Sequence, residues 1–249
     1  MARYQMILAY DGTRFKGSQR QANARTVQSE FERALRTLGW SGRSILMAGR
    51  TDTGVHATGQ VVAFDFDWQH TDEELLRALN SELPADMAAR AAKVAADDFH
   101  PRFDAISRRY VYRLFCQPIR DPLRENMAWR VWPAVNGSLL EQTAALFLGS
   151  HDFAAFGSPT SAKGTTIRAV MKAKWRSHAD EWQFEIQADA FLYRMVRRLV
   201  FVQVAVAQGK CSAEAVARSL AGQLNESKRS EIPAGLAPAH GLNLVEVTY

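Results

Sequence analysis

Much of the chemistry open to this chain sits in one loop. Between two apolar segments lies GRTDTGVHATG, residues 49–59. It offers a cation at Arg50 and a carboxylate at Asp52, with Gly49 and Gly54 giving the backbone freedom to turn. A carboxylate presented on such a turn can be aimed at a ligand and act as nucleophile or base. The same residue types also build an ordinary strand-connecting turn. Spacing alone leaves both readings open.

Two further features join it. The segment LYRMVRRLVFVQVAVA, residues 192–207, is apolar almost throughout yet carries Arg194, Arg197 and Arg198, three and four positions apart and so on one face of a helix. Guanidiniums on an apolar helix need a partner or a route to water. Met195-Val196 and Leu199-Val200 flank the pair Arg197-Arg198, and Arg197 is the one expected to be buried and paired with a carboxylate or phosphate. Tyr110 lies in SRRYVYRLF, residues 107–115. There it is either a ring packed on a sheet or a group that stacks on a base or moves a proton. Other constellations fail. Ser150, His151 and Asp152 are sequence neighbours and cannot by themselves form a triad. The six histidines show no metal spacing, and neither a phosphate-binding P-loop nor a dinucleotide fingerprint occurs. No metal or cofactor is expected.

These residues need a scaffold, and composition bounds it. The 249 residues are 47% hydrophobic and 23% charged, ordinary values for a globular chain with a substantial core. Lys and Arg number 31 against 26 Asp and Glu, a net charge of +5 that favours polyanionic partners. Cys116 and Cys211 are too few for a disulfide scaffold or zinc cage. No apolar run has bilayer length, and MARYQMILAYDG does not read as a signal peptide. A cytoplasmic protein without membrane contact is expected.

Periodicity supplies the elements. Strands are predicted at 3–10, 44–48 and 62–68, then at 107–115, 166–177, 181–190 and 242–248. Helices are predicted from Thr26 as N-cap to Leu38, and at 72–80, 138–148, 192–207 and 212–221. The polar stretch 13–25, with Arg14, Lys16, Arg20 and Arg25, reads as a basic loop. Paired strands separated by helices imply an α+β fold with antiparallel sheet and helices on one face.

The ordered set YDGTRFKGSQRQ, RTVQ, AGRTDTGVHATGQVV, DDFHPRFDAISRRYVYR, HDFAAF, ADAFLYRMVRR and HGLNLVEV resembles the tRNA pseudouridine synthases of the TruA type over nearly the whole chain. The resemblance implies the pseudouridine synthase fold: two similar lobes, residues 1–104 and 105–249, with a central, mainly antiparallel sheet, helices packed on it and a basic cleft between the lobes. It implies an isomerase that converts uridine to pseudouridine at positions 38 to 40 of the tRNA anticodon stem-loop, without cofactor and as a homodimer. It assigns Asp52 as the catalytic carboxylate and Arg50 as the residue that holds the flipped nucleotide. Tyr110 becomes the stacking tyrosine, Arg197 the arginine paired with the aspartate, and Leu242 an apolar wall. Arg14, Lys16, Arg20 and Arg25 are candidates for RNA contact, as are Arg108 and Arg109. Three positions depart from the family pattern. Ser18 stands where an aromatic is usual, Arg198 where Asn is usual, and Phe201 where glycine is usual. Two other readings use the same residues: an inactive RNA-binding protein on this fold, or a glycosidase with Asp11, Asp104 or Asp189 as a second carboxylate.

Overall fold

A computed structural model describes residues 1–160, 164–222 and 231–249. The chain forms two compact units, residues 1–106 with 243–249, and residues 107–242. The closing strand therefore counts with the N-terminal unit, whereas the sequence reading placed all of 105–249 in the second lobe.

The first unit holds strands β1 (Ala2–Tyr10), β2 (Leu46–Met47), β3 (His56–Phe66) and β4 (Met87–Val94), and nearly all of β10 (Leu242–Thr248). Its strand order is β4-β1-β3-β10, with β2 paired beside β3. All pairings are antiparallel except β3 with β10. Helices α1 (Val27–Thr37) and α2 (Asp72–Glu82) each start on a threonine capping box, Thr26 with Ser29 and Thr71 with Glu74. Phe31 and Leu35 of α1 and Leu75 and Leu79 of α2 are fully buried. Phe31 meets Phe64 of β3 edge-on, with ring centroids 5.7 Å apart. Burying a ring of that size stabilises by roughly 1.5–3 kcal/mol.

The second unit holds β5 (Ser107–Cys116), β6 (Trp129–Val131), β7 (Gly149–Asp152), β8 (Ile167–His178) and β9 (Glu181–Ala188). Their order is β5-β9-β8-β7, with β6 parallel to β5 and the rest antiparallel. Helices α3 (Gly137–Ala145), α4 (Met195–Ala207) and α5 (Ala213–Leu220) complete it. Trp175, Phe184, Phe147, Phe153 and Phe156 fill the core. The α+β class and the mainly antiparallel sheets agree with the sequence reading.

Three differences have physical causes. The strand expected at 62–68 begins at His56, so HATG of the loop motif is strand, not loop. Gly59 is there because a Cβ would lie 2.2 Å from the Val245 carbonyl oxygen on β10, a close approach only glycine admits. Helix α4 begins at Met195 rather than 192, because Arg194 sits at φ +63° and breaks the helical path. The short or Ala-rich strands β4, β6 and β7 carry too little alternation to be read from sequence. Among the described residues, no helix is long and apolar enough to cross a membrane. Cys116 and Cys211 are both free.

Four Arg–carboxylate forks tie loops to this frame: Arg3–Asp65, Arg25–Asp86, Arg113–Glu181 and Arg124–Asp180, all at 2.7–3.1 Å. The hydrogen bonds from these guanidiniums hold all four carboxyls below their ordinary range. The unfolded chain takes up protons on them first as pH falls. Stability is therefore fully present above about pH 5 and declines below about pH 4. Thermal midpoints from pH 8 to pH 3 should show that plateau and decline, and Asp86→Asn should make the decline shallower. A midpoint as high at pH 3 as at pH 7 would contradict this linkage.

Candidate active site

In the first unit the loop between β2 and β3 spans residues 48–55. Its ends are pinned: Ala48 N–H donates to Val61 O at 2.8 Å, and Val55 N–H to Asp52 O at 3.1 Å. Gly54, at φ +81°, makes the turn that a side chain would strain. Arg50 is exposed, Thr51 is buried and Asp52 is half-buried. The two residues that could do chemistry thus flank one that is anchored.

Thr51 is anchored at three points. Ser18, itself fully buried, donates its N–H to Thr51 O at 3.0 Å and accepts the Thr51 N–H on Oγ at 2.8 Å. The Tyr10 hydroxyl hydrogen-bonds Thr51 Oγ1 at 2.9 Å. Burial pushes the Tyr10 hydroxyl up to about 12, against the opposing pull of its bonds to Thr51 and Gln60. It is therefore a neutral hydroxyl at physiological pH. Gln60 Nε2 donates to Gly49 O at 2.9 Å and to the Tyr10 hydroxyl at 3.4 Å. Ser18 is held in turn by α1, whose Gln28 N–H donates to Ser18 O at 2.9 Å. Spacing did not single out Tyr10 or Gln60. The available signal was a glutamine inside the apolar run GQVVAF.

Arg14 and Lys16 of the basic loop are exposed. Arg20 is exposed too, but its guanidinium donates at 2.6 Å to Glu32, a fully buried carboxylate on α1. Arg20 thus already has structural work, since a buried carboxylate without a cation is costly. Of the three carboxylates considered as a second catalytic acid, each is engaged locally. Asp11 accepts from the N–H and hydroxyl of Thr13, Asp104 from His100 N–H, and Asp189 from Ala169 N–H.

In the second unit Tyr110 lies on β5 opposite Ile186, half-buried, with Phe191 edge-on at 5.1 Å. Its neighbour on the same face, Tyr112, is fully buried and donates to Pro238 O at 2.8 Å. Burial raises the Tyr112 hydroxyl well above its ordinary value, so Tyr112 is a structural post. Arg197, in the first turn of α4, is half-buried, and its Nε donates to Ala237 O at 2.8 Å. Ala237 N–H returns a bond to Arg197 O at 3.2 Å. Arg197 is thereby tied to the segment leading to Leu242, which is buried at the start of β10. Arg194 lies outside the helix, its guanidinium 4.7 Å from the Tyr193 ring centroid.

The other two departures from the family pattern are accommodated. Arg198 Nη1 donates to the carbonyls of Pro233 and Gly235. Phe201 stacks on Trp129 at 6.5 Å, and its ring fills the space where a Cβ on Gly235 would fall. A bulky residue at 201 thus goes with a missing side chain at 235. Among the described residues, no group of three or more His, Cys, Asp or Glu could hold a metal ion.

Comparison with known proteins bears on both units. A family model described as tRNA pseudouridine synthase matches residues 6–104 and 143–249. A tRNA pseudouridine synthase A of Paraburkholderia xenovorans is 37% identical over 249 residues, covering 100% of this chain and 90% of the relative. That of Limosilactobacillus fermentum is 37% identical over 254 residues, covering 100% and 96%. That of a Geobacter species is 36% identical over 249 residues, covering 100% and 99%. The matched segments include the Asp52 loop and the Arg197 helix, and the chain belongs to the tRNA pseudouridine synthase family, a family of isomerases.

Proposed function

We propose that the protein converts uridine to pseudouridine in the anticodon stem-loop of tRNA, at positions 38 to 40, with Asp52 as the essential carboxylate. The observation that carries this reading is the anchored loop, which presents a half-buried Asp52 beside an exposed Arg50 in a chain of this family. The names of the curated relatives support tRNA as the substrate.

The reaction is an exchange of bonds. The C1′–N1 bond breaks, the uracil turns, and a C1′–C5 bond forms. The hydrogen on C5 leaves as a proton and N1 gains one, so no electrons are exchanged with a partner. A stacked base must leave the helix to be turned. Arg50, exposed and cationic, fills the vacated place and holds phosphate. Tyr110 stacks on the extruded uracil, Leu242 forms an apolar wall, and Arg197 completes the catalytic set. An ionised Asp52 can begin the exchange by attack at C1′, by attack on the ring, or by taking the 2′ proton. Arg14, Lys16 and Arg20 line the RNA path, since A-form RNA is read through its backbone and unpaired parts. The enzyme acts as a cytoplasmic homodimer.

The test is tritium release from tRNA transcribed with 5-tritiated uridine. Release without free uracil is expected. Free uracil would identify a glycosidase. Binding of tRNA with no release would leave an RNA-binding protein.

A further inference from the structure

Ser18 is one of the three positions where the sequence resemblance led to another residue being expected, here an aromatic. Its side chain is small, polar and fully buried. Its backbone N–H and its hydroxyl are both used on Thr51, at the carbonyl and the N–H that belong to the two successive peptide units around that residue. Behind it stands the α1 bond to Ser18 O, and beside it the Tyr10 hydroxyl on Thr51 Oγ1. The Gln60 amide reaches the other end of the loop at Gly49 O. Gln60 Oε1 is buried without a hydrogen-bond partner.

We propose that Ser18, Tyr10 and Gln60 are positioning residues that fix Thr51 and thereby set the direction of Arg50 and Asp52. The inference rests on Asp52 being the catalytic carboxylate. Thr51 is flanked directly by the two reactive residues, so a rotation of its peptide units swings both side chains. With Thr51 held at its N–H, its carbonyl and its hydroxyl, that rotation is closed. The hydroxyl of Ser18 supplies the acceptor for the Thr51 N–H, and a phenyl or indole ring at position 18 has no oxygen to take its place. Displacements of about 1 Å in a reacting group cost on the order of 10²-fold in rate.

The experiment uses the full chain, with tritium release giving kcat and KM, filter retention giving tRNA affinity, and thermal unfolding giving stability. Ser18→Ala and Tyr10→Phe should each lower kcat about 10- to 100-fold while KM and tRNA affinity stay close to wild type and the thermal midpoint falls by only several degrees, leaving the variants folded at the assay temperature. Thr51→Val should match Tyr10→Phe, Thr51→Ser should restore most of the rate, and the Tyr10→Phe/Thr51→Val double variant should be no worse than either single one. Wild-type kcat in both Ser18→Ala and Tyr10→Phe would overturn the proposal. So would a fall in kcat that only parallels loss of midpoint and of tRNA affinity. Should Ser18→Ala not fold, the Tyr10 and Thr51 variants decide by the same criteria. Asp52→Ala run alongside separates the two readings. If it still releases tritium, the catalytic assignment fails. If it is dead while Ser18→Ala and Tyr10→Phe are fully active, only the positioning role fails.

Discussion

Asp52→Asn should lower turnover in the tritium assay by at least about 10³-fold, the scale on which loss of a reacting group is felt. The substitution keeps the shape and removes only the charge and the nucleophilic oxygen. The loop should keep its form, because it is held at Thr51, at Gly49 and at the Asp52 backbone carbonyl. Affinity for tRNA and thermal midpoint should therefore change little. Measuring all three on one preparation makes the result specific. A variant that retains a tenth of wild-type turnover would remove Asp52 from the reaction. One that loses binding and turnover together would make it a binding residue instead.

Gly12→Ala should produce the largest loss of stability among single-methyl additions to the first unit. A Cβ at Gly12 would lie 2.0 Å from Val55 O and 2.4 Å from its carbonyl carbon. Backbone cannot step aside as a flexible side chain can, and Val55 is bonded at its N–H to Asp52 O. Gly12 N–H also donates to His56 Nδ1 at 3.0 Å, which fixes the two segments together. The expected cost is about 3 kcal/mol, typical of forced overpacking. For a chain of this length that corresponds to a fall of roughly 6–12 °C in thermal midpoint. Gly49→Ala is the control, since nothing lies within 4 Å of its added Cβ, and its effect should stay below about 1 kcal/mol. Equal midpoints for the two variants would mean the Gly12 contact relaxes freely.

Sequence carried the long, strongly patterned elements. The Phe31–Leu35 stripe of α1 and its Thr26 cap stand where periodicity placed them, as does the alternation from Trp182 to Ala188 in β9. It failed where the pattern is set by neighbours rather than by the segment itself. Strand β3 starts early because β10 draws alongside Gly59, a partner more than 180 residues away in the chain. The beginning of α4 is set by the left-handed turn at Arg194, and arginine gives no sign of such a turn. Arg50 and Asp52 were legible as candidates only through the ordered motifs around them, since their residue types alone also build an ordinary turn. Their support was not. Tyr10 and Ser18 are ordinary residues whose meaning comes from standing 2.8–2.9 Å from Thr51, and a distance of that kind is not written in spacing.

The return of β10 to the first unit has a consequence for synthesis. Residues 1–106 emerge first, but β3 receives its parallel neighbour only when Asn243 and Leu244 have been made. At about 5–20 residues per second, the intervening stretch delays that pairing by roughly 7–30 seconds. During this interval the start of β3 at His56 and Ala57, beyond the stretch that β2 covers, has open amides and carbonyls, the kind of edge that chaperones cover and foreign strands join. A premature stop late in the message would therefore leave a chain in which the loop and helix sequences are present but the first unit lacks its closing strand.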